Sequence, residues 1–429
     1  MDDTSPHRRY LTTLVATALT ILVMAAALNY WIDPYGIFGV TPVRGINALK
    51  PEAAERARVV KPYQAERLRP RTIVAGNSRP EMGIDPESTC WRDDERPVYN
   101  FGVPGAGFRM QTLYARHGVL AGDARRVFLG VDIGDFLGDT ARFAREETAD
   151  TRVATSDELR LAPEVSGADP VAHQAQRLKD RFDALFSLTA LSGSVKTIAE
   201  QDSPHAAHRT TAGFNPAGDF APMIRSEGQW VLFAQKVRDI RASLARPRLG
   251  VADPAGRLSD SFASLERFLV WADEHGVEVV LFINPYHFEY LGLIHEAGLW
   301  PALDEWKRNL TRIAEQHGVA LWDFNSVDHY ATETPPARGD RRSVLQWYWE
   351  PAHYKRELGE IMLARMLDRP CAQTDPAATQ AFGARLEHGM LDGHLERLRA
   401  EVQRQLAASA GGGTGEGPSP PTAMHSPPN

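Results

Sequence analysis

The stretch RTIVAGNSRPEMGIDP (71–86) runs an apolar segment into Gly76 and delivers Ser78 just beyond it. Glycine permits a sharp turn without a Cβ clash. A helix opening at Ser78 would place free backbone N–H groups beside the hydroxyl. That setting suits a nucleophile whose attack builds an oxyanion at its side, although a plain helix cap by Asn77 or Ser78 fits the same residues. Much later, WYWEPAHYKRELG (347–359) carries Glu350 and His353. With Pro351 as the first helical residue, His353 is predicted in the first turn of a helix. The positive helix end would keep its imidazole neutral for general-base work, and Glu350 could orient the ring and stabilise the imidazolium. A helix cap with a packed histidine is the alternative. A metal reading of Glu350 and His353 needs further ligands, of which His287 in NPYH is the tempting one; neither a metal nor a cofactor is expected.

Other residues near these two bear on a ligand. NFGVPGAGF (100–108) holds Gly102, Gly105 and Gly107, where backbone N–H groups could approach a ligand and supply a second oxyanion donor. Arg79, directly after Ser78, could hold an acidic sugar or a phosphate, or pair with Asp85. Trp347 and Trp349 beside His353 could stack on a sugar ring or belong to the core.

The elements that must position these residues follow from periodicity. Apolar runs with strand character stand at 72–75, 98–101, 127–132, 277–283 and 319–324, with helical patterns between them. Near-continuous β-branched runs alternating with helices predict an α/β fold: a doubly wound, three-layer sheet of about five parallel strands. In such sheets ligands bind past the carboxyl ends of the strands, where Ser78 and the glycines would lie. The stretch from about 137 to 255 breaks the rhythm and reads as a helical insertion. Residues 33–69 read as a charged stalk, 70–370 as the main domain, 371–408 as a C-terminal helix, and the Gly/Pro/Ser-rich 409–429 as a disordered tail.

Near the start, Tyr10–Ile32 carries no charge over 23 residues, enough to span a bilayer as a helix, with Tyr10, Tyr30 and Trp31 placed as an aromatic belt. A cleaved signal peptide is the rival, since MAAALN offers a small-residue site; the run continues unbroken into NYWIDPYGIF, which favours an uncleaved anchor behind a short cytoplasmic stub (1–9). Basic residues on its two sides are nearly balanced, but the short N-terminal flank favours staying in the cytoplasm. The expectation is therefore a single-pass inner-membrane protein whose main domain faces the periplasm. The formal charge of −7 gives no reason to expect nucleic acid. Cys90 and Cys371 could pair in an oxidising compartment, with two buried thiols the plainer alternative.

Taken together, a serine after the first strand, glycines after the second and an acid-x-x-His before the last helix resemble the SGNH (GDSL-like) esterase and acyltransferase superfamily from about residue 70 to 370. The likeness is greatest to its membrane-anchored, exported branch, which includes alginate O-acetylation and D-alanine transfer proteins. The resemblance implies Ser78 as nucleophile and first oxyanion donor, Gly105 as second donor, His353 as base, and Glu350 where the family usually has Asp. It also implies an O-acyl, most simply O-acetyl, group on an envelope polysaccharide as substrate, with envelope-assembly proteins as possible partners. Two departures are visible. GNS replaces the common Gly-Asp-Ser, and LGVDIGDF (129–136) puts Asp132 where the oxyanion-binding Asn should be. An ionised Asp132 would repel an oxyanion. Either its pKa is raised, or another donor such as Asn284 serves, or the chain is an inactive carbohydrate-binding or scaffold component with the same fold.

Overall fold

The computed structural model describes residues 5–143, 154–203, 208–371 and 381–411. Its centre is a six-stranded, mostly parallel sheet. The strands are β1 (Thr72–Gly76), β2 (Val98–Gly102), β3 (Arg126–Val131), β4 (Glu278–Ile283), β5 (Ala320–Asp323) and, after the hairpin strands β6 (Tyr348–Glu350) and β7 (His353–Tyr354), β8 (Ala384–Arg385). The order across the sheet is β8-β5-β4-β3-β1-β2, and only β8 runs antiparallel to its neighbour. The five expected parallel strands are thus present, and the C-terminal segment adds a short sixth at the edge beside β5.

Alternation along these strands explains why both faces are covered. Ile73, Ala75, Val127, Leu129 and Leu281 point into one core, and Val74, Phe128, Val280 and Phe282 into a second core on the other side. Strands buried on both faces must be apolar at nearly every position, which is the pattern the sequence carries.

Helices supply the cover. They are α1 (Ser5–Ile32), α2 (Ala57–Leu68), α3 (Ser78–Gly83), α4 (Phe108–Gly122), α5 (Pro170–Phe186), α6 (Leu188–Ala199), α7 (Gln229–Leu244), α8 (Asp260–Glu274), α9 (Phe288–Glu296), α10 (Trp300–Gln316), α11 (Arg356–Met366) and α12 (His388–Gly411). The region expected as an insertion holds α5, α6 and α7, and its two ends are tied by a two-residue antiparallel ribbon, 138–139 with 249–250. α12 buries Leu391, Leu395, Leu398 and Val402 in the main core. Residues 412–429, most of the expected tail, lie outside the described residues, as do 372–380 of the expected C-terminal helix.

Two expectations are corrected. Residues 33–69 are no free stalk. In α2, Lys61 is fully buried and donates to the carbonyls of Asn100 (3.0 Å) and Gly213 (2.8 Å) while pairing with Glu81 at 2.8 Å. Glu81, on α3, also accepts from Arg209 at 2.7 Å. A buried carboxylate is tolerable only with such partners; despite the cost of burial, Lys61 and Arg209 hold Glu81 below the usual carboxylate range. The segment therefore clamps the helix that begins at Ser78. The second correction concerns sulfur: Cys90 and Cys371 form a disulfide, closing a loop of 281 positions, rather than two buried thiols.

At the N-terminus, α1 is long and apolar enough over His7–Ile32 to cross a membrane. At 1.5 Å per residue those 26 residues extend about 39 Å, more than the hydrocarbon core requires.

Candidate active site

β1 ends at Gly76, whose φ is +142°; a Cβ there would lie 2.7 Å from Pro80 Cγ and 2.9 Å from the Gly130 carbonyl. Only glycine fits that turn. The next residue, Asn77, caps α3, its side-chain oxygen accepting the Arg79 N–H at 3.0 Å. Capping thus falls to Asn77, and the Ser78 hydroxyl is directed elsewhere.

It meets His353. Ser78 Oγ and His353 Nε2 are 2.7 Å apart although 275 positions separate the residues. On the other side of the ring, Nδ1 contacts Oε1 of Glu350, whose second oxygen accepts the Ala352 N–H at 2.8 Å. A carboxylate on Nδ1 selects the tautomer with the proton there, leaving Nε2 to accept from the serine. Glu350 is almost fully buried. Burial opposes its ionisation, but His353 and Lys236, the latter 3.8 Å away, hold it below the usual carboxylate range.

The local backbone differs from expectation. His353 is not in the first turn of a helix: it lies on β7, paired across a two-residue turn with Glu350 of β6, and α11 starts only at Arg356. Fully buried Tyr348 and Tyr354 pin the hairpin to the second core. The cross-strand pairing, with the Ala352 N–H on the second oxygen, aims Glu350 at the imidazole.

Arg79 joins the two halves. Its Nε donates to the Ala352 carbonyl at 2.7 Å, its guanidinium contacts the Asp132 carboxylate, and the rings of Tyr286 and Tyr290 lie 5.0 and 5.2 Å away. Arg79 therefore pairs with Asp132, not with Asp85, whose partner is Arg356 at 3.4 Å. Asp132 is spent as a buried counter-charge and does not face the serine as a bare anion. Its Oδ1 accepts the Gly134 N–H at 3.0 Å.

A cavity of about 380 Å³ opens over Ser78 and His353. Gly105 borders it with φ +62°, and neither its amide nor that of Ser78 is engaged by an acceptor among the described residues. Two unpaired N–H groups beside a nucleophilic hydroxyl are what an oxyanion needs. Asn284, the suggested substitute donor, is not at the cavity. It is buried, donates to the Val131 carbonyl at 3.2 Å and accepts from Tyr354 at 3.1 Å. Trp347 and Trp349 are also elsewhere: Trp347 packs edge-on to Tyr330, and Trp349 lies against Phe220 with Lys355 over its ring. His287 is buried and bonded to the Glu333 carbonyl at 2.7 Å, so it adds no ligand to His353.

Sequence reasoning missed several wall residues, Tyr290 and Ile240 among them. Asp135 borders the cavity, accepting from Asn77 Nδ2 at 3.1 Å and Gln111 Nε2 at 2.9 Å. Burial pushes its carboxyl above the usual range against the pull of Gln111, Arg79 and Asn77. Lys236, Asp239 and Ser243 come from α7 at positions i, i+3 and i+7, a polar stripe that helical spacing alone could have flagged.

Compared with known proteins, the chain matches no protein-family model and no curated protein.

Proposed function

We propose that the protein is a membrane-anchored, SGNH-like serine esterase or O-acyltransferase that acts on acyl groups, O-acetyl above all, of an envelope polysaccharide. The observation that carries this reading is the contact chain Ser78–His353–Glu350, with Ser78 and His353 lining an open cavity. Ser78 Oγ attacks the acyl carbonyl carbon while His353 Nε2 takes its proton. The oxyanion forms beside the Ser78 and Gly105 amides. Collapse breaks the ester bond, and His353 returns the proton to the leaving alcohol. A sugar hydroxyl or water, deprotonated by the same imidazole, then attacks the acyl-enzyme and frees Ser78.

Polar walls from α7 and Asp135 suit a hydroxyl-rich acceptor better than an aliphatic one. The inactive-scaffold alternative drew on Asp132 as a repulsive group in the oxyanion hole. Its pairing with Arg79 removes that objection, so the enzymatic reading is favoured. The periplasmic placement of the main domain belongs to the same proposal and is supported by α1 and by the Cys90–Cys371 disulfide, since disulfides persist in oxidising compartments.

Turnover of p-nitrophenyl acetate by the full chain in detergent, with and without a de-O-acetylated oligosaccharide acceptor, tests the reading. Hydrolysis lost in Ser78→Ala supports an esterase, and acetyl transfer to the sugar supports a transferase. Equal turnover by wild type and Ser78→Ala overturns both.

A further inference from the structure

Helices α5 and α6 are amphipathic in the reverse sense of a water-soluble protein. On α5 the side facing the protein is polar: His173, Gln176 and Asp180 are buried, with Asp180 accepting from Tyr63 at 2.9 Å and from Arg160 at 2.7 Å. Its outward side is apolar. Val171, Leu178 and Phe182 are 75%, 69% and 59% exposed, and Phe186 continues the same stripe. α6 repeats the inversion. Gly193, Ser194 and Thr197 face inward, while Leu188 (83%) and Val195 (58%) face out. A surface helix in water shows the opposite arrangement. Small and polar residues between helices, with large apolar ones outward, are the packing rule inside a bilayer.

The inverted pair sits against α1. From residue 7 to 24, α1 is exposed all round, and it becomes part-buried from Ala25 to Ile32. There Asn29 donates to the Leu185 carbonyl at 2.8 Å and accepts from Ser194 at 2.8 Å, joining the α5–α6 turn to the end of α1. Exposed Tyr30 and Trp31 mark the same level as an interfacial belt.

We propose that α5 and α6 form a second membrane contact, a helical hairpin seated in the headgroup and acyl boundary of the leaflet from which α1 emerges. This rests on α1 being the anchor. Its occupant is lipid and not a protein partner because the two apolar faces adjoin α1 itself, whose own exposed surface must meet hydrocarbon. Arg181 borders the stripe, where a long basic side chain reaches lipid phosphates, while Lys179 on the other flank is paired with Asp183 at 2.6 Å. The hairpin gives the domain a two-point attachment, fixing the height and tilt of the Ser78 cavity above the surface.

The test uses the full chain in phosphatidylcholine–phosphatidylglycerol vesicles, carrying a bimane probe at single positions: Ala16→Cys in α1, and Phe182→Cys or Leu188→Cys in the hairpin. Cys90 and Cys371 stay oxidised and unlabelled. Lipids brominated along the acyl chain should quench all three, positions 182 and 188 by at least about half as much as position 16. Quenching at 16 alone overturns the seating and leaves the anchor standing. No quenching anywhere removes the anchor and the seating with it. Positions 182 and 188 unquenched in pure vesicles, yet shielded from a water-soluble maleimide in native membranes, would show a protein partner there and overturn the lipid assignment.

Discussion

Two acid–histidine pairs stand past the carboxyl ends of the parallel strands, and they have opposite fates. At β1 and the β6–β7 hairpin, Glu350 orients His353 toward the Ser78 hydroxyl in an open cavity. At the end of β5, Asp323 accepts from His394 at 2.8 Å and from fully buried Lys307 at 2.6 Å. Although burial opposes it, Lys307 and then His394 bring the Asp323 carboxyl down to about 2. Among the described residues that second cluster has a base and an acid but no hydroxyl or thiol on its histidine, and its carboxylate is occupied by a lysine. It ties α10 and α12 to the sheet. What sets the proposed active site apart is therefore the third member, together with unengaged amides and room for a ligand.

The sharpest way to break this contrast is to remove each histidine in turn. His353→Ala should lower fluorophosphonate labelling by about 10³-fold or more, whereas His394→Ala should change it less than about threefold. Equal losses would erase the distinction. Glu350→Gln should cost about 10²- to 10⁴-fold in acyl turnover with the fold intact, because an amide no longer selects the reactive tautomer. On the structural side, Asp323→Asn leaves Lys307 buried without its counter-charge. It should lower unfolding free energy by about 3–5 kcal/mol in a denaturant titration while labelling at Ser78 persists.

A further test separates the buried histidines from the Asp323 cluster by pH. Burial holds His117 and His287 down to about 4, so both stay neutral in the native protein. The unfolded chain takes up protons on them below about 6.5. Stability is full above that value and falls as pH drops from about 6.5 toward 4, by up to about 3 kcal/mol per residue. The Asp323 contribution survives this window and is lost only between its unfolded value near 3.8 and about 2. Thermal melts at stepped pH should show the two declines separately.

Much of this was legible in the chain. The five parallel strands stand out because strands covered on both faces must be apolar throughout. Ser78, Gly105, Glu350 and His353 stand out because the ends of such strands are where reactive residues gather. Other features were hidden for physical reasons. Pro351 suggested a helix start, but tertiary burial of Tyr348 and Tyr354 turns the segment into a hairpin. Arg79 chose Asp132 over Asp85, a choice between carboxylates that distance in sequence cannot make. The α7 wall depends on how the insertion folds back over β1. In α5 the amphipathic pattern is plain, yet which side faces water depends on α1 beside it.

The most direct measurement is peptide mapping of the full-length protein after reaction with a fluorophosphonate. A single covalent adduct on Ser78, lost when His353 is replaced by Ala, is the result this account predicts. An unmodified Ser78 under conditions that label a control serine esterase would contradict it.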